Sequence, residues 1–244
     1  IIWAFSSYFF ILIPAGHIWK FVTLAYIPPT IAGVVLAYRK KYLLGGVITA
    51  LFIALQIQSN HIQMSYYFMF VILFFIIAYF VDAYEKKELP HFFKASAILA
   101  LAAVVGVCVN ISNLYHTYEY SKETMRGKSE LKQEGPAANQ TSSGLDRDYI
   151  TNWSYGIGET LTLLVPNVKG GGCSTTLSQN ETAMAKANPM YGNLYSQLTP
   201  YFGDQPWTAG PVYVGAFVVF LFILGCFIVK GPLKWALLGA TIFS

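Results

Sequence analysis

The chain has 244 residues, of which 55% are hydrophobic, 16% aromatic and only 11% charged, with a net charge of +4. A soluble domain carries about 25% charged residues, so this composition excludes a soluble globular enzyme, a nucleic-acid-binding protein and a disordered chain. The charged residues are also gathered in one place, since 16 of the 28 lie between positions 113 and 211. We therefore expect a polytopic membrane protein with one large water-exposed insertion.

Five stretches of 18 residues without a charged side chain predict membrane-spanning helices, at 21–38, 42–59, 64–81, 95–112 and 212–229. At about 1.5 Å per residue, each helix is about 27 Å long, close to the bilayer core of about 30 Å. Residues 1–16 and 235–244 are interpreted as two further spans, truncated because the chain is an internal piece of a longer protein. We predict an all-α polytopic transmembrane bundle of about seven spans, with transmembrane segments at 1–112 and 212–244 and an extracytoplasmic loop domain at 113–211.

Short-loop lysines and arginines predict the orientation of these spans. Alternate loops hold eight basic residues on one side and Lys20 alone on the other; the eight are Arg39, Lys40, Lys41, Lys86, Lys87, Lys94, Lys230 and Lys234. The side with eight is predicted to be cytoplasmic. The long loop and the turns at 17–20 and 60–63 are predicted to face outside.

The first polar pair in chain order is His17 with Lys20, at the predicted outer end of a span. Residues at i and i+3 share a helix face, so both side chains are able to contact one phosphate group. The alternative is a lysine that extends to the interface beside the anchoring ring of Trp19. Pro28 and Pro29 follow about ten residues into this span, where they predict a kink or, less commonly, a broken helix that lines a site.

A denser polar segment, residues 56–63, begins at the outer end of the next span. Its amides and imidazole would hydrogen-bond a sugar or phosphate just outside the bilayer, and the candidate ligands there are Gln58, Asn60, His61 and Gln63. The alternative is a polar helical hairpin whose side chains are satisfied by their neighbours. His116 follows the fourth complete span on the same predicted side.

The long loop begins with residues 113–134, which predict a polar helix with i,i+3 and i,i+4 ion pairs, among them Glu119 with Lys122. Arg126 is the candidate phosphate ligand there, because a guanidinium matches phosphate geometry. Asp146 and Asp148 form a D-x-D sequence that would hold a divalent metal, although acidic residues in the first turn of a helix look the same. Trp153 is a candidate for stacking on a sugar, with an interfacial aromatic belt as the alternative.

Several stretches together resemble the YfhO family of bacterial membrane proteins. They are AGHIWKFVTLAYIPPTIAGVVLAYR at 15–39, NHIQMSYYF at 60–68, NLYHTYEYSKETMRGKSEL at 113–131, SSGLDRDYITNWSYGIGETLTLLVPNVKGG at 142–171 and GPVYVGAFVVFLFILG at 210–225. That family is similar to the GT-C glycosyltransferases, multi-span enzymes that take a sugar from a polyprenyl-phosphate donor. The resemblance implies that Gly16, His17 and Lys20 match a G-H-x-x-K pattern near the donor head group. It also implies that the catalytic acid–base carboxylate lies in a first external loop that precedes Ile1.

These observations predict a glycosyltransferase of the bacterial cytoplasmic membrane. A lipid-linked donor has its phosphate at the interface, where His17, Lys20 and Arg126 would stabilise the leaving group. The expected partners are a polyprenyl-phosphate-linked sugar, an envelope polymer or glycolipid acceptor and membrane lipids, with no nucleic acid and no certain cofactor beyond the divalent metal considered above. A lipid-linked saccharide transporter or flippase and a non-catalytic envelope-assembly protein stay open as alternatives.

Overall fold

A computed structural model describes residues 6–124, 147–206 and 212–243. These residues are 71% helical and contain no strand, which confirms the all-helical class. The chain divides into two compact units, one formed by Ile1–Tyr118 with Phe222–Ser244 and the other by Glu119–Leu221. We call the first the membrane unit and the second the loop unit.

Twelve α-helices are seen in the described residues. In chain order they are α1 (Ser7–Leu12), α2 (Ile18–Ala25), α3 (Ile27–Tyr38), α4 (Tyr42–Gln58), α5 (Ile62–Glu85), α6 (Leu89–Cys108), α7 (Ile111–Lys122), α8 (Arg147–Thr151), α9 (Glu181–Met184), α10 (Gly192–Tyr195), α11 (Ala216–Ile228) and α12 (Pro232–Phe243). Three 3₁₀ segments, Ile157–Leu163, Leu177–Gln179 and Pro189–Tyr191, lie in the loop unit.

Three segments of the described chain are long and apolar enough to cross a membrane: Ile18–Tyr38, which joins α2 and α3, then α5 and α6. The other apolar helices, α4, α11 and α12, have 17, 13 and 12 residues and are shorter. The chain thus has the helices expected of a membrane protein, and the total of seven spans stays a prediction.

The predicted kink at Pro28 and Pro29 is a break between two helices. α2 ends at Ala25 and α3 begins at Ile27, so the prolines occupy the first turn of α3. A proline there removes an N–H group that has no partner within the helix in any case. The Thr30 backbone N–H and hydroxyl both donate to the Tyr26 carbonyl, at 3.2 and 2.8 Å, which covers the carbonyl at the break.

Small residues allow α3, α4 and α6 to pack closely. A Cβ atom added to Gly45 of α4 would lie 2.5 Å from the Ala37 nitrogen and 2.7 Å from the Gly33 carbonyl oxygen of α3. On α6, a Cβ at Gly106 would lie 2.9 Å from the Ala50 carbonyl oxygen of α4. Membrane helices associate through such close backbone approach, because lipid offers no hydrophobic driving force between them.

The fully buried Phe75 of α5 lies at the centre of the main apolar core. Buried partners come from α3 (Val34 and Tyr38), α6 (Phe92 and Ala95) and α12 (Ala236). This packing fixes the ends of four helices at the predicted cytoplasmic side. A smaller cluster of Phe9, Leu12 and Leu24 joins α1 to α2.

Candidate functional site

The charges of Lys20 and His17 act on the His61 ring in the membrane unit, where α2 contacts α5. We call these three residues the His17 cluster. His17 is the N-cap residue of α2, and the chain reaches it through a tight turn in which Gly16 has φ of 75°, a conformation that favours glycine. His61 is the N-cap residue of α5, so the cluster lies where two helices begin.

A polar contact one turn further into the bundle holds these two helix starts in place. The Thr23 hydroxyl of α2 lies 2.5 Å from the Ser59 hydroxyl in the turn before α5, and both residues are buried. The Thr23 hydroxyl also lies 2.8 Å from the Trp19 carbonyl and the Ser59 hydroxyl 2.6 Å from the Gln56 carbonyl. Because each hydroxyl has one proton, one of the two donates to the other hydroxyl and the second donates to its own backbone carbonyl. The contact joins α2 to the turn before α5.

His61 carries unused hydrogen-bonding capacity. Burial lowers its pKa below the ordinary histidine value, and the positive charges of Lys20 and His17 lower it further, so the ring is neutral at pH 7. Its Nδ1 atom is buried without a hydrogen-bond partner among the described residues, and so is the hydroxyl of Ser65. These residues are four positions apart and therefore lie on the same side of α5. Buried polar atoms are normally satisfied, so these two atoms are exceptions among the described residues at the start of α5.

Lys20 supplies the permanent positive charge of the cluster. Its ammonium group lies 5.3 Å from the centroid of the Tyr8 ring, in cation–π range. No carboxylate among the described residues forms an ion pair with it. His17 is exposed beside it. The arrangement provides one cation with no carboxylate partner among the described residues and two imidazoles at the starts of two helices, which is the chemistry that an anionic head group requires.

The polar residues of 56–63 divide into two groups. Gln56, only 3% exposed, donates from Nε2 to the Thr30 hydroxyl at 2.7 Å and so joins α4 to α3. Gln56 and Ser59 therefore fit the alternative of a polar helical hairpin, because their side chains form hydrogen bonds with neighbouring residues. Gln58, Asn60 and Gln63 are exposed, and Gln63 donates to the Tyr67 hydroxyl at 3.3 Å. Asn60 has φ of 56° and forms the turn before His61. The exposed amides are free to contact a ligand beside the cluster.

The remaining predicted site residues do not join the cluster through any described contact. His116 is exposed on α7, with its ring 5.7 Å from that of Tyr115, and no hydrogen bond or ion pair links it to His17, Lys20 or His61 among the described residues. In the loop unit, Trp153 is half exposed and its carbonyl accepts a hydrogen bond from the Gln205 side chain.

Of the charged ligands predicted in the long loop, Asp148 is the one that lies among the described residues. Arg126 and Asp146 lie outside the described residues. Asp148 is exposed in the first turn of α8, where its carbonyl accepts the Asn152 backbone N–H at 3.0 Å. Within the described ranges, no group of three or more histidine, cysteine, aspartate or glutamate side chains is arranged to hold a metal ion. The predicted D-x-D metal site therefore stays a prediction.

The loop unit contains a buried acidic centre that sequence reasoning missed. Glu159, in the 3₁₀ segment Ile157–Leu163, is fully buried. Its carboxylate accepts hydrogen bonds from the Tyr201 hydroxyl and, at 2.7 Å, from the Gly156 backbone N–H. Tyr201 also accepts the Gln205 backbone N–H at 3.1 Å. The signal in the sequence was a single acid inside the apolar stretch GIGETLTLLVP, which is expensive to bury without partners.

The ionisation of this centre follows from its contacts. Desolvation pushes the pKa of Glu159 upward, but hydrogen bonds from Tyr201 and from the Gly156 and Asp204 backbones, with the Lys169 charge, outweigh it and leave that pKa below the ordinary value. Burial and the bond to the carboxylate raise the pKa of Tyr201 to about 12. Glu159 is thus a carboxylate and Tyr201 a phenol at neutral pH. Because Glu159 is fully buried and its carboxylate is held by hydrogen bonds within the loop unit, we interpret the centre as an anchor of the loop fold.

Comparisons of the chain with family models, with curated proteins and with solved structures find no match. The resemblance to the YfhO family therefore rests on the quoted sequence stretches. The all-helical membrane unit and the His17 cluster are observations of this chain alone.

Proposed function

We propose that this chain is part of a membrane glycosyltransferase that moves a sugar from a polyprenyl-phosphate donor to a cell-envelope acceptor. The observation that carries the proposal is the His17 cluster. It combines an ammonium group with no carboxylate partner among the described residues, a neutral imidazole whose buried Nδ1 atom has no partner there and a second, exposed imidazole. These groups lie at the starts of Ile18–Tyr38 and of α5, two segments able to cross a membrane. A phosphate whose hydrocarbon tail stays in the bilayer would meet them at that boundary.

The proposed chemistry is an exchange at the anomeric carbon of the donor sugar. The bond from that carbon to the phosphate oxygen breaks, a bond to the acceptor hydroxyl oxygen forms, and the acceptor proton passes to a carboxylate base. The polyprenyl phosphate leaves with both bonding electrons. Lys20 and His17 stabilise the negative charge that develops on it, and His61 donates or accepts one hydrogen bond at the same group. We assign no catalytic base among the residues of this chain.

The transporter alternative receives less support from the described helices. A carrier of a charged saccharide needs polar or ionisable groups through the depth of the membrane. In the described spanning segments, charged side chains lie near the helix ends, at Lys20, Asp82, Glu85 and Lys94. The arrangement favours chemistry at one surface over passage through the bundle.

The test is sugar transfer from a polyprenyl-phosphate donor by the full-length protein in proteoliposomes. We expect Lys20→Ala to lower turnover by about 10²–10³-fold, the usual effect of losing one group that stabilises transition-state charge. His17→Ala should act in the same direction. Lys94→Ala is the matched control, because Lys94 also lies over a tyrosine ring, at 4.7 Å from that of Tyr42, but near the other end of the helices.

Turnover by Lys20→Ala and His17→Ala equal to that of Lys94→Ala would overturn the donor-site assignment. Folded protein is verified by helical circular dichroism and by elution as a single species. Lys20→Arg provides a second check, since it keeps the charge and should retain more activity than Lys20→Ala.

A further inference from the structure

A cavity with charged and aromatic lining residues lies in the membrane unit at the predicted cytoplasmic ends of α3, α5, α6 and α12. Its volume is about 570 Å³. Its charged lining consists of Arg39, Lys40, Lys86, Lys230, Asp82 and Glu88. The His17 cluster lies elsewhere, because His61 begins α5 and Lys86 follows its last residue. The 24 residues of that helix span about 36 Å.

The charge of the lining is unbalanced in favour of cations. Lys40 pairs with Glu88 at 2.9 Å and Lys86 with Asp82 at 2.8 Å. The hydrogen bond from Lys40 lowers the pKa of Glu88, and the bond to Asp82 raises that of Lys86, so Glu88 is a carboxylate and Lys86 an ammonium at neutral pH. Four cations face two carboxylates, which leaves an excess of two positive charges.

Arg39 and Lys230 carry that excess. Neither forms an ion pair with a carboxylate among the described residues, and both are exposed. The lysines of the two pairs are also more than half exposed, at 59% and 61% of their side chains. Exposed pairs of this kind are weak, so their lysines are able to turn toward an incoming anion.

The cavity is held in shape by its helix ends. α3 and α5 terminate alike: the N–H groups of Lys40 and Lys41 bond back to Ala37 and Leu36, and those of Lys87 and Glu88 bond back to Tyr84 and Ala83. These two hydrogen bonds at each helix end form the Schellman motif. Lys40 and Lys87 occupy its left-handed position, with φ of 67° and 59°. The basic turns are therefore ordered by backbone hydrogen bonds.

The wall between the two turns is rigid as well. His91 of α6 uses both ring nitrogens, with Nε2 2.8 Å from the Tyr38 carbonyl and Nδ1 2.7 Å from the Tyr42 hydroxyl. Because a carbonyl only accepts, Nε2 carries a proton. The Tyr38 ring is stacked between Tyr79, at 4.5 Å, and Phe92, at 5.6 Å. Basic groups thus surround a fixed aromatic and imidazole surface.

We propose that this cavity binds a phosphate ester, with Arg39 and Lys230 as its main ligands. A guanidinium offers two parallel N–H donors that match two phosphate oxygens, and the lysine adds a second charge. The net positive lining disfavours cations. The cavity lies at the ends of spanning segments on the side with excess basic residues, where anionic lipids place their phosphates. The phosphate belongs either to such a lipid head group or to a soluble ester.

The test uses the full-length chain in nanodiscs, with bound lipid counted by native mass spectrometry after exchange between phosphatidylglycerol and phosphatidylcholine. We expect retention of phosphatidylglycerol by the wild type and at least tenfold weaker retention by the double variant Arg39→Gln/Lys230→Gln. The matched control is Lys41→Gln/Lys87→Gln, which removes the same charge from the same side but from residues outside the cavity lining. The control should change retention less than twofold.

A second arm adds glycerol 3-phosphate as the soluble probe. Competition by this probe identifies a soluble ester as a ligand, whereas retention that the probe does not affect identifies the lipid head group, and either result supports the site. Equal losses in the two double variants would show nonspecific attraction to a basic surface and overturn it, as would the absence of binding by both probes. Lys230→Gln alone, on an exposed residue, keeps the test interpretable if the double variant fails to fold.

Discussion

The close backbone contact of Gly45 with α3 leads to a quantitative prediction for Gly45→Ala. The added methyl group would lie 2.5 Å from the Ala37 nitrogen, 2.7 Å from the Gly33 carbonyl oxygen and 2.9 Å from the Ala37 Cα atom. All three are backbone atoms of α3, so no side chain is able to rotate away, and α3 and α4 must separate. Overpacking of this kind costs about 1–3 kcal/mol. The higher helix propensity of alanine returns about 1 kcal/mol.

The expected net loss is up to about 2 kcal/mol in the free energy of unfolding, a decrease of up to about 8 °C in the melting temperature for a unit of this size. The assay is thermal unfolding in detergent, followed by helical circular dichroism. Gly225→Ala is the matched control, because a Cβ there would meet only Val229 Cγ2, at 4.0 Å, and its helix is also apolar. If Gly45→Ala melts at or above the temperature of Gly225→Ala, the close packing of α3 on α4 is not what holds these helices together.

Two further predictions concern buried polar groups. Gln56→Leu should lower stability by about 1 kcal/mol in the same thermal assay, because it removes the interhelical bond to the Thr30 hydroxyl; the exposed Gln58→Leu should have little effect, and equal melting of the two variants would contradict the role of Gln56. Glu159→Gln should remove a pH-dependent part of the stability of the loop unit. Since the folded pKa of Glu159 is lowered, its contribution is present above the ordinary glutamate pKa and is lost as the pH falls through the folded pKa. Near-ultraviolet circular dichroism across the acidic range measures this loss, and an acid transition unchanged by Glu159→Gln would show that another group is responsible.

The membrane class and the approximate positions of the helices were predictable from the sequence. Apolar runs and the charges between them act locally, because the free energy of placing a segment in lipid is close to a sum over its own residues. The same reasoning predicted the ion pair of Glu119 with Lys122, found at 2.7 Å, because residues three apart on a helix are neighbours whatever the rest of the chain does.

Which residues lie together in each site was decided by the tertiary structure. His17 and Lys20 were predictable as one pair from their spacing, but the meeting with His61, about 40 residues away, depends on how α2 packs against the start of α5. Within one polar segment, helix packing buried Gln56 and left Gln58 exposed, a division that composition does not contain. Arg39 and Lys230 are similarly distant in the sequence and line one cavity only because α3 and α12 both pack against α5. Local hydropathy adds along the chain, whereas proximity between distant residues is decided by which helix faces meet.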